Sequence, residues 1–157
     1  WWMSRPPISG SLARRIQHLN SEIKALDGML TELVIDTAPS LVDLYGVGTD
    51  TAATLLMAAG DNPDRLHSER SWAHLCGVCP IPAGSGKTDG RHRLNRGGDR
   101  QANAALYRIV LTRMSGDPTT KTYVARRRDE GKNTAEIMRC LKRYVARETY
   151  KHIHHDT

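Results

Sequence analysis

Leu12-Ala13-Arg14-Arg15-Ile16-Gln17-His18-Leu19-Asn20-Ser21-Glu22-Ile23-Lys24-Ala25-Leu26-Asp27-Gly28-Met29-Leu30-Thr31-Glu32-Leu33 is the stretch that sets the fold class. Leu12, Leu19, Leu26 and Leu33 recur every seven residues, and Ile16, Ile23 and Leu30 fall between them, offset by four. This is helical periodicity in a/d register, so residues 8–36 read as one long helix. Isoleucine at two a positions and leucine at every d favour a parallel two-stranded coiled coil. The bland alternative is an amphipathic helix lying on its own domain, for which a strict a/d stripe is narrow. The partner helix belongs either to another subunit, in a dimer or tetramer, or to another part of the same protein.

Downstream of this arm, apolar residues keep helical spacing. Asp36-Thr37-Ala38-Pro39 reads as a cap followed by proline in a first helical turn, opening a short helix through Leu41, Val42 and Leu44. Tyr45-Gly46-Val47-Gly48-Thr49-Asp50 then turns the chain into a second helix that is capped by Thr49 or Asp50 and runs to Gly60. The pair has the form of a helix-hairpin-helix motif over about 39–60. The unpaired N–H groups at the second helix start, with its dipole, suit a DNA phosphate without reading sequence. The plain alternative is an αα-hairpin with glycine in its turn.

Asp61-Asn62-Pro63-Asp64 is turn chemistry, and Ser68 caps a helix carrying Trp72, Leu75 and Cys76 that Gly77 closes. Trp72 falls on the face of Leu75 and Cys76 and reads as core. Asp99 caps a helix whose buried face is Ala102, Ala105, Leu106, Ile109, Val110 and Met114, ended by Gly116. Asp117-Pro118 starts the next helix, which ends near Gly131. Asn133-Thr134-Ala135-Glu136 opens the last, with Ile137, Leu141, Tyr144 and Val145 on one face. Its other face holds Arg139, Lys142, Arg143, Arg147 and Lys151, and Arg126-Arg127-Arg128 add more charge. Such a face either solvates the surface or holds a nucleic-acid backbone. No convincing strand pattern occurs. The expectation is an all-α protein: a coiled-coil arm over 1–36, then a helical domain over 37–157 with a long Gly/Arg-rich loop at about 80–100.

That loop, Ala83-Gly84-Ser85-Gly86-Lys87-Thr88-Asp89-Gly90-Arg91-His92-Arg93-Leu94-Asn95-Arg96-Gly97-Gly98-Asp99-Arg100, has no apolar periodicity. Extended by its prolines, Val78-Cys79-Pro80-Ile81-Pro82 leads into it. Its glycines let the backbone approach a ligand, and Lys87, Arg91, Arg93, Arg96 and Arg100 suit phosphate. Ser85, set between two glycines, is the candidate nucleophile, although serine between glycines is also common in linkers. Asp89 and His92 are the titratable groups local to it. The Gly-Lys-Thr ending at Gly86-Lys87-Thr88 invites a P-loop reading. Ile81 or Pro82 stands where the first glycine belongs, no strand pattern precedes it and no helix pattern follows directly, so that reading fails.

Composition bounds the partner. The 157 residues carry a formal net charge of +6, and the pI is about 9.5, a balance that favours a polyanion. The core must be aliphatic with a few Tyr and Trp, since there is no Phe. No apolar run reaches the ~18 residues of a membrane span, and the N-terminus has no apolar signal region. The chain opens on Trp1 rather than Met, as expected of a piece of a longer protein. The three cysteines argue against a disulfide framework and for a reducing compartment. Cys76 and Cys79 have the spacing of half a zinc site with His74 close by. Cys140 and the His152, His154, His155 tail supply no second pair, so packing is the favoured role and no metal site is expected in this chain.

Four segments in this order carry a family resemblance: Leu44–Gly48 with Thr51-Ala52-Ala53; Leu75-Cys76-Gly77-Val78-Cys79-Pro80; Ser85-Gly86-Lys87; and Arg93 through Leu106. From about residue 10 onward the chain resembles the C-terminal transposase domain of the insertion-sequence one-ten family, described as RNA-guided DNA recombinases. The resemblance implies a bacterial, cytoplasmic protein that works on DNA with a guide RNA. It implies that Ser85 attacks a DNA phosphodiester to give a phosphoserine intermediate. It further implies that Mg2+ is held by four acidic ligands of a RuvC-like domain absent from this chain, so this chain alone is expected to be inactive. The other function class left open is a non-catalytic helix-hairpin-helix module that binds nucleic acid and dimerises.

Overall fold

A computed structural model describes residues 8–60, 66–82, 84, 92, 93, 95 and 97–156. Among these the chain is helical: α1 (Ile8–Thr37), α2 (Pro39–Val42), α3 (Thr49–Ala59), α4 (Glu69–Leu75), α5 (Arg100–Gly116), α6 (Pro118–Asp129) and α7 (Thr134–Asp156). The one extended feature among the described residues is an antiparallel ladder of two residues a side, β1 (Ile81–Pro82) on β2 (His92–Arg93), pairing Ile81 with Arg93 and Pro82 with His92.

Helix α5 is the centre. Its buried face of Ala102, Ala105, Leu106, Ile109 and Val110 packs against α3, α6 and α7, as the apolar spacing predicts. Trp72 from α4 is fully buried, and its indole N–H donates to Thr149 Oγ1 on α7 at 3.2 Å. Thr149 in turn donates to Ala146 O, so two buried polar groups satisfy each other in an otherwise aliphatic core. Cys76 lies in this core and Cys79 is half-buried. Burial, with the Asp99 carboxylate second, pushes the Cys76 thiol far up, so it stays protonated and inert.

Helix α1 meets this body only at its C-terminal end. Val34 is buried and Leu30 packs on the core. The rest of the seam faces solvent, from 39% exposed at Leu19 to 65% at Leu33. An amphipathic helix folded back on its own domain would have covered these residues.

Several helix ends differ from the sequence reading. Neither Thr49 nor Asp50 caps α3. Gly48 is the cap residue, extended at φ −94°, and its N–H is taken by Thr51 Oγ1 at 3.0 Å. Asp36 does not cap α2 either. The α1 ladder runs on through Ala38 N to Val34 O, which keeps Asp36 and Thr37 inside α1, and Ala38 becomes the cap residue without a side-chain bond. Helix α2 stops at Val42, short of Leu44, which turns back to bond Leu41 O. By contrast Ser68, Asp99 and Asp117 cap α4, α5 and α6, and Asn133 and Glu136 form the reciprocal box that opens α7. Tyr144 is about half exposed and stands edge-on to Tyr123 rather than joining Ile137, Leu141 and Val145 in the core.

Candidate functional site

The segment that bears Ser85 leaves the ladder at Pro82 and rejoins it at His92. Ser85, Lys87, Asp89, Arg91 and Arg96 lie outside the described residues, and Arg93 is placed by its backbone in β2. What is described is the frame that holds both ends of this segment.

That frame is a polar clasp between the end of α4 and the start of α5. Gly77 adopts φ +67°, the left-handed conformation that closes a helix most cheaply with glycine. Gly98 lies directly on it. A methyl at Gly98 would overlap the backbone N and Cα of Gly77 and stand 2.9 Å from Leu75 O. Asp99 N donates to Leu75 O at 2.6 Å while its carboxylate caps α5 through Ala102 N at 2.8 Å. Asn95 bridges as well: its amide donates to His74 O at 3.1 Å and its carbonyl accepts from Gly97 N at 3.0 Å. One turn into α5, Asn103 donates to Cys76 O at 2.8 Å and to Gly77 O at 3.4 Å, and accepts from Lys142 Nζ at 2.8 Å. These bonds satisfy carbonyls that the end of α4 would otherwise leave open.

Sequence spacing assigns no role to Asn95, Asn103 or Lys142. One signal was present: an asparagine inside a helix is unfavourable unless its amide is engaged elsewhere.

Beside the clasp is an open cleft of ≈ 480 Å³. Gly77, Gly98 and Asp99 line one side, and Arg100, Ala104 and Tyr107 of α5 the other. Arg100, named from sequence as a phosphate contact, is thus the first residue of α5 and exposed.

The glycine turn lies elsewhere on α5. Gly46 has φ +82°, and a Cβ there would stand 3.3 Å from Ile109 O. Gly48 has open space around it, and Thr49 begins α3 half-buried. Asp50, in the first turn of α3, pairs with Arg108 at 2.8 Å. From Arg100 to Ile109 is nine residues, roughly 14 Å along the helix axis. Arg100 and the Gly46 turn therefore meet α5 at separate points along its length.

The basic face of α7 is partly committed inside the fold. Arg143 and Arg147 both bond Glu69 on α4, Arg147 at 3.0 Å, and Lys142 is spent on Asn103. Burial raises the Glu69 pKa, but hydrogen bonds from Arg143 and then Arg147 outweigh it and hold the carboxyl below its usual range. In α6, Arg127 pairs with Glu130 at 2.5 Å and both Arg126 and Arg127 stack over Tyr123. Among the described residues no group of three or more His, Cys, Asp or Glu could hold a metal ion, and no helix is long and apolar enough to cross a membrane.

The described fold is an all-helical domain whose polar clasp joins the end of α4 to the start of α5. Comparison with known proteins narrows the class: residues 38–125 match the model of the transposase IS116/IS110/IS902 family, and this chain belongs to that family. It is 31% identical over 142 residues to the insertion element IS110 uncharacterized 43.6 kDa protein of Streptomyces coelicolor, covering 87% of this chain and 34% of that protein. It is 30% identical over 138 residues to the insertion element IS900 uncharacterized 42 kDa protein of Mycobacterium paratuberculosis, covering 87% and 35%. The chain spans about a third of the length of these curated relatives.

Proposed function

We propose that this chain is the serine-bearing domain of a DNA transposase and that Ser85 is its nucleophile. The supporting observation is the clasp. The Leu75–Pro80 and Arg93–Leu106 motifs, far apart in sequence, are bonded to each other at the two ends of the segment that bears Ser85. A nucleophile on a loop needs such a scaffold, because catalysis depends on holding the reacting atoms in a narrow geometry.

In the proposed step the Ser85 Oγ forms an ester bond to a DNA phosphorus. One phosphorus–oxygen bond to deoxyribose breaks, and that oxygen leaves as a hydroxyl after taking up a proton. The Ser85 proton passes to a base. Lys87, Arg91, Arg93, Arg96 and Arg100 neutralise charge around the phosphate. In this reading Mg2+ is held by the acidic ligands of a RuvC-like domain of the whole protein, as the family resemblance implies. A guide RNA selects the target in the whole protein. The exposed 12–33 seam pairs copies of the chain, because an a/d stripe left in solvent is best buried against its own kind.

The experiment is Ser85→Ala in the full-length protein. Strand exchange is abolished while DNA binding and assembly persist. Recombination that survives the substitution leaves only the alternative, a non-catalytic binding module. This chain alone, incubated with donor and target DNA, should give no covalent protein–DNA product.

A further inference from the structure

We propose that the cleft between the Gly77–Gly98 contact and the first two turns of α5 is a subsite for one unpaired base of a DNA strand. The ring of Tyr107 is the stacking surface and Arg100 holds the adjoining phosphate. The proposal rests on the reading of this chain as a DNA-binding domain and adds a particular ligand at a particular place.

Size is the first argument. At ≈ 480 Å³ the cleft falls in the range of small-molecule sites and suits a nucleoside. A duplex could only lie across it. Shape is the second. Arg100, Ala104 and Tyr107 stand at i, i+4 and i+7 on α5, so they share one face. Ala104, the small middle residue, leaves a hollow between a cation and an aromatic ring. Tyr107 is 45% exposed, which leaves much of its side chain open to solvent.

The polar inventory then selects the ligand. Both amides on the cleft, Asn95 and Asn103, already use donor and acceptor inside the clasp. The wall on the loop side is Gly77 and Gly98 backbone, which leaves room for a flat ring. Asp99 also lines the cleft, and its negative charge disfavours a phosphate placed deep inside it. A phosphate is therefore favoured at the rim, by Arg100, with the uncharged base inside. Arg108, the next cation along α5, is held by Asp50, whereas Arg100 makes no ion pair with a described acid. Base stacking on tyrosine with an arginine at the backbone is the usual chemistry of single-strand recognition, and it tolerates any base.

The test uses the 157-residue chain and a single-stranded oligonucleotide carrying 2-aminopurine, with a matched duplex as comparison. The wild type should bind the single strand more tightly than the duplex and quench the fluorescence. Tyr107→Ala should weaken single-strand binding about 5- to 100-fold and lose the quench. Tyr107→Trp should keep both. Ala104→Leu, which fills the hollow with Tyr107 intact, should lose the quench as well. Arg100→Ala should lower the salt dependence of binding by about one phosphate contact. Circular dichroism and thermal melting confirm that each variant is folded. Single-strand affinity and quench unchanged in both Tyr107→Ala and Ala104→Leu would overturn the subsite while leaving DNA binding intact. A wild type that binds neither DNA would overturn the subsite and the DNA-binding reading together.

Discussion

At residue scale the two glycine pairs make different demands. Gly98 meets backbone, which cannot swing aside as a side chain can. Gly98→Ala should therefore cost about 3 kcal/mol through overpacking, read as a lowered melting temperature. Gly46 and Gly48 look alike in the Gly-Val-Gly turn and are not. Gly46 is left-handed and packed on α5, whereas Gly48 is extended with nothing near it. Gly46→Ala should cost about 1–2 kcal/mol. Gly48→Ala should leave the melting temperature within experimental scatter. Any loss of DNA binding in Gly48→Ala would then report on the first turn of α3 rather than on folding.

At the scale of elements, α1 divides functionally between Met29 and Leu30. Deleting through residue 28 removes side chains that, over residues 10–28, face solvent, and should leave the melting temperature within a few degrees. Deleting through residue 36 also strips Leu30 and Val34 from the core, a loss of about 3 kcal/mol from apolar burial. Under the proposed pairing of the seam both deletions lower the mass measured by light scattering, and only the second should destabilise the domain. Where apolar periodicity governs, the sequence was readable: α1, α5 and α7 follow from the spacing of Leu12 to Leu33, Ala102 to Val110 and Ile137 to Val145. The clasp was not readable. Asn95 meets His74 from 21 residues away, Asn103 meets Cys76 from 27, and Lys142 reaches Asn103 from 39. Polar bonds between distant residues leave no period in a sequence. The caps of α2 and α3 were hidden for a related reason, because Ala38 and Gly48 have no capping side chain of their own.

For the whole molecule, paired and capping carboxylates link stability to pH. Glu69 ties α4 to α7, and its folded pKa lies below the ordinary 4.5. Its stabilising contribution is complete above that value and is lost as pH falls through the lowered folded pKa. Asp117 behaves in the same sense, its pKa held down chiefly by the Thr120 hydroxyl and then by the Thr120 N–H. The melting temperature should fall as the solution is acidified below about pH 4.5. Glu69→Gln should be less stable than the wild type at pH 7, with a shallower acid limb. Equal acid limbs would remove Glu69 from this account.

The small ladder at Ile81–Pro82 and His92–Arg93 sets how the chain can change length. It joins the two ends of the Ser85 segment at its base. Adding residues there carries only the entropy of a longer closed loop, about 0.6 kcal/mol for each doubling. A Gly-Ser pair inserted after Pro82 should therefore leave thermal unfolding almost unchanged and, under the proposed mechanism, abolish strand exchange by the full-length protein. The ladder thus acts as a fixed hinge pin: the span between Pro82 and His92 is the place where this chain tolerates a change of length at least cost to the helical body.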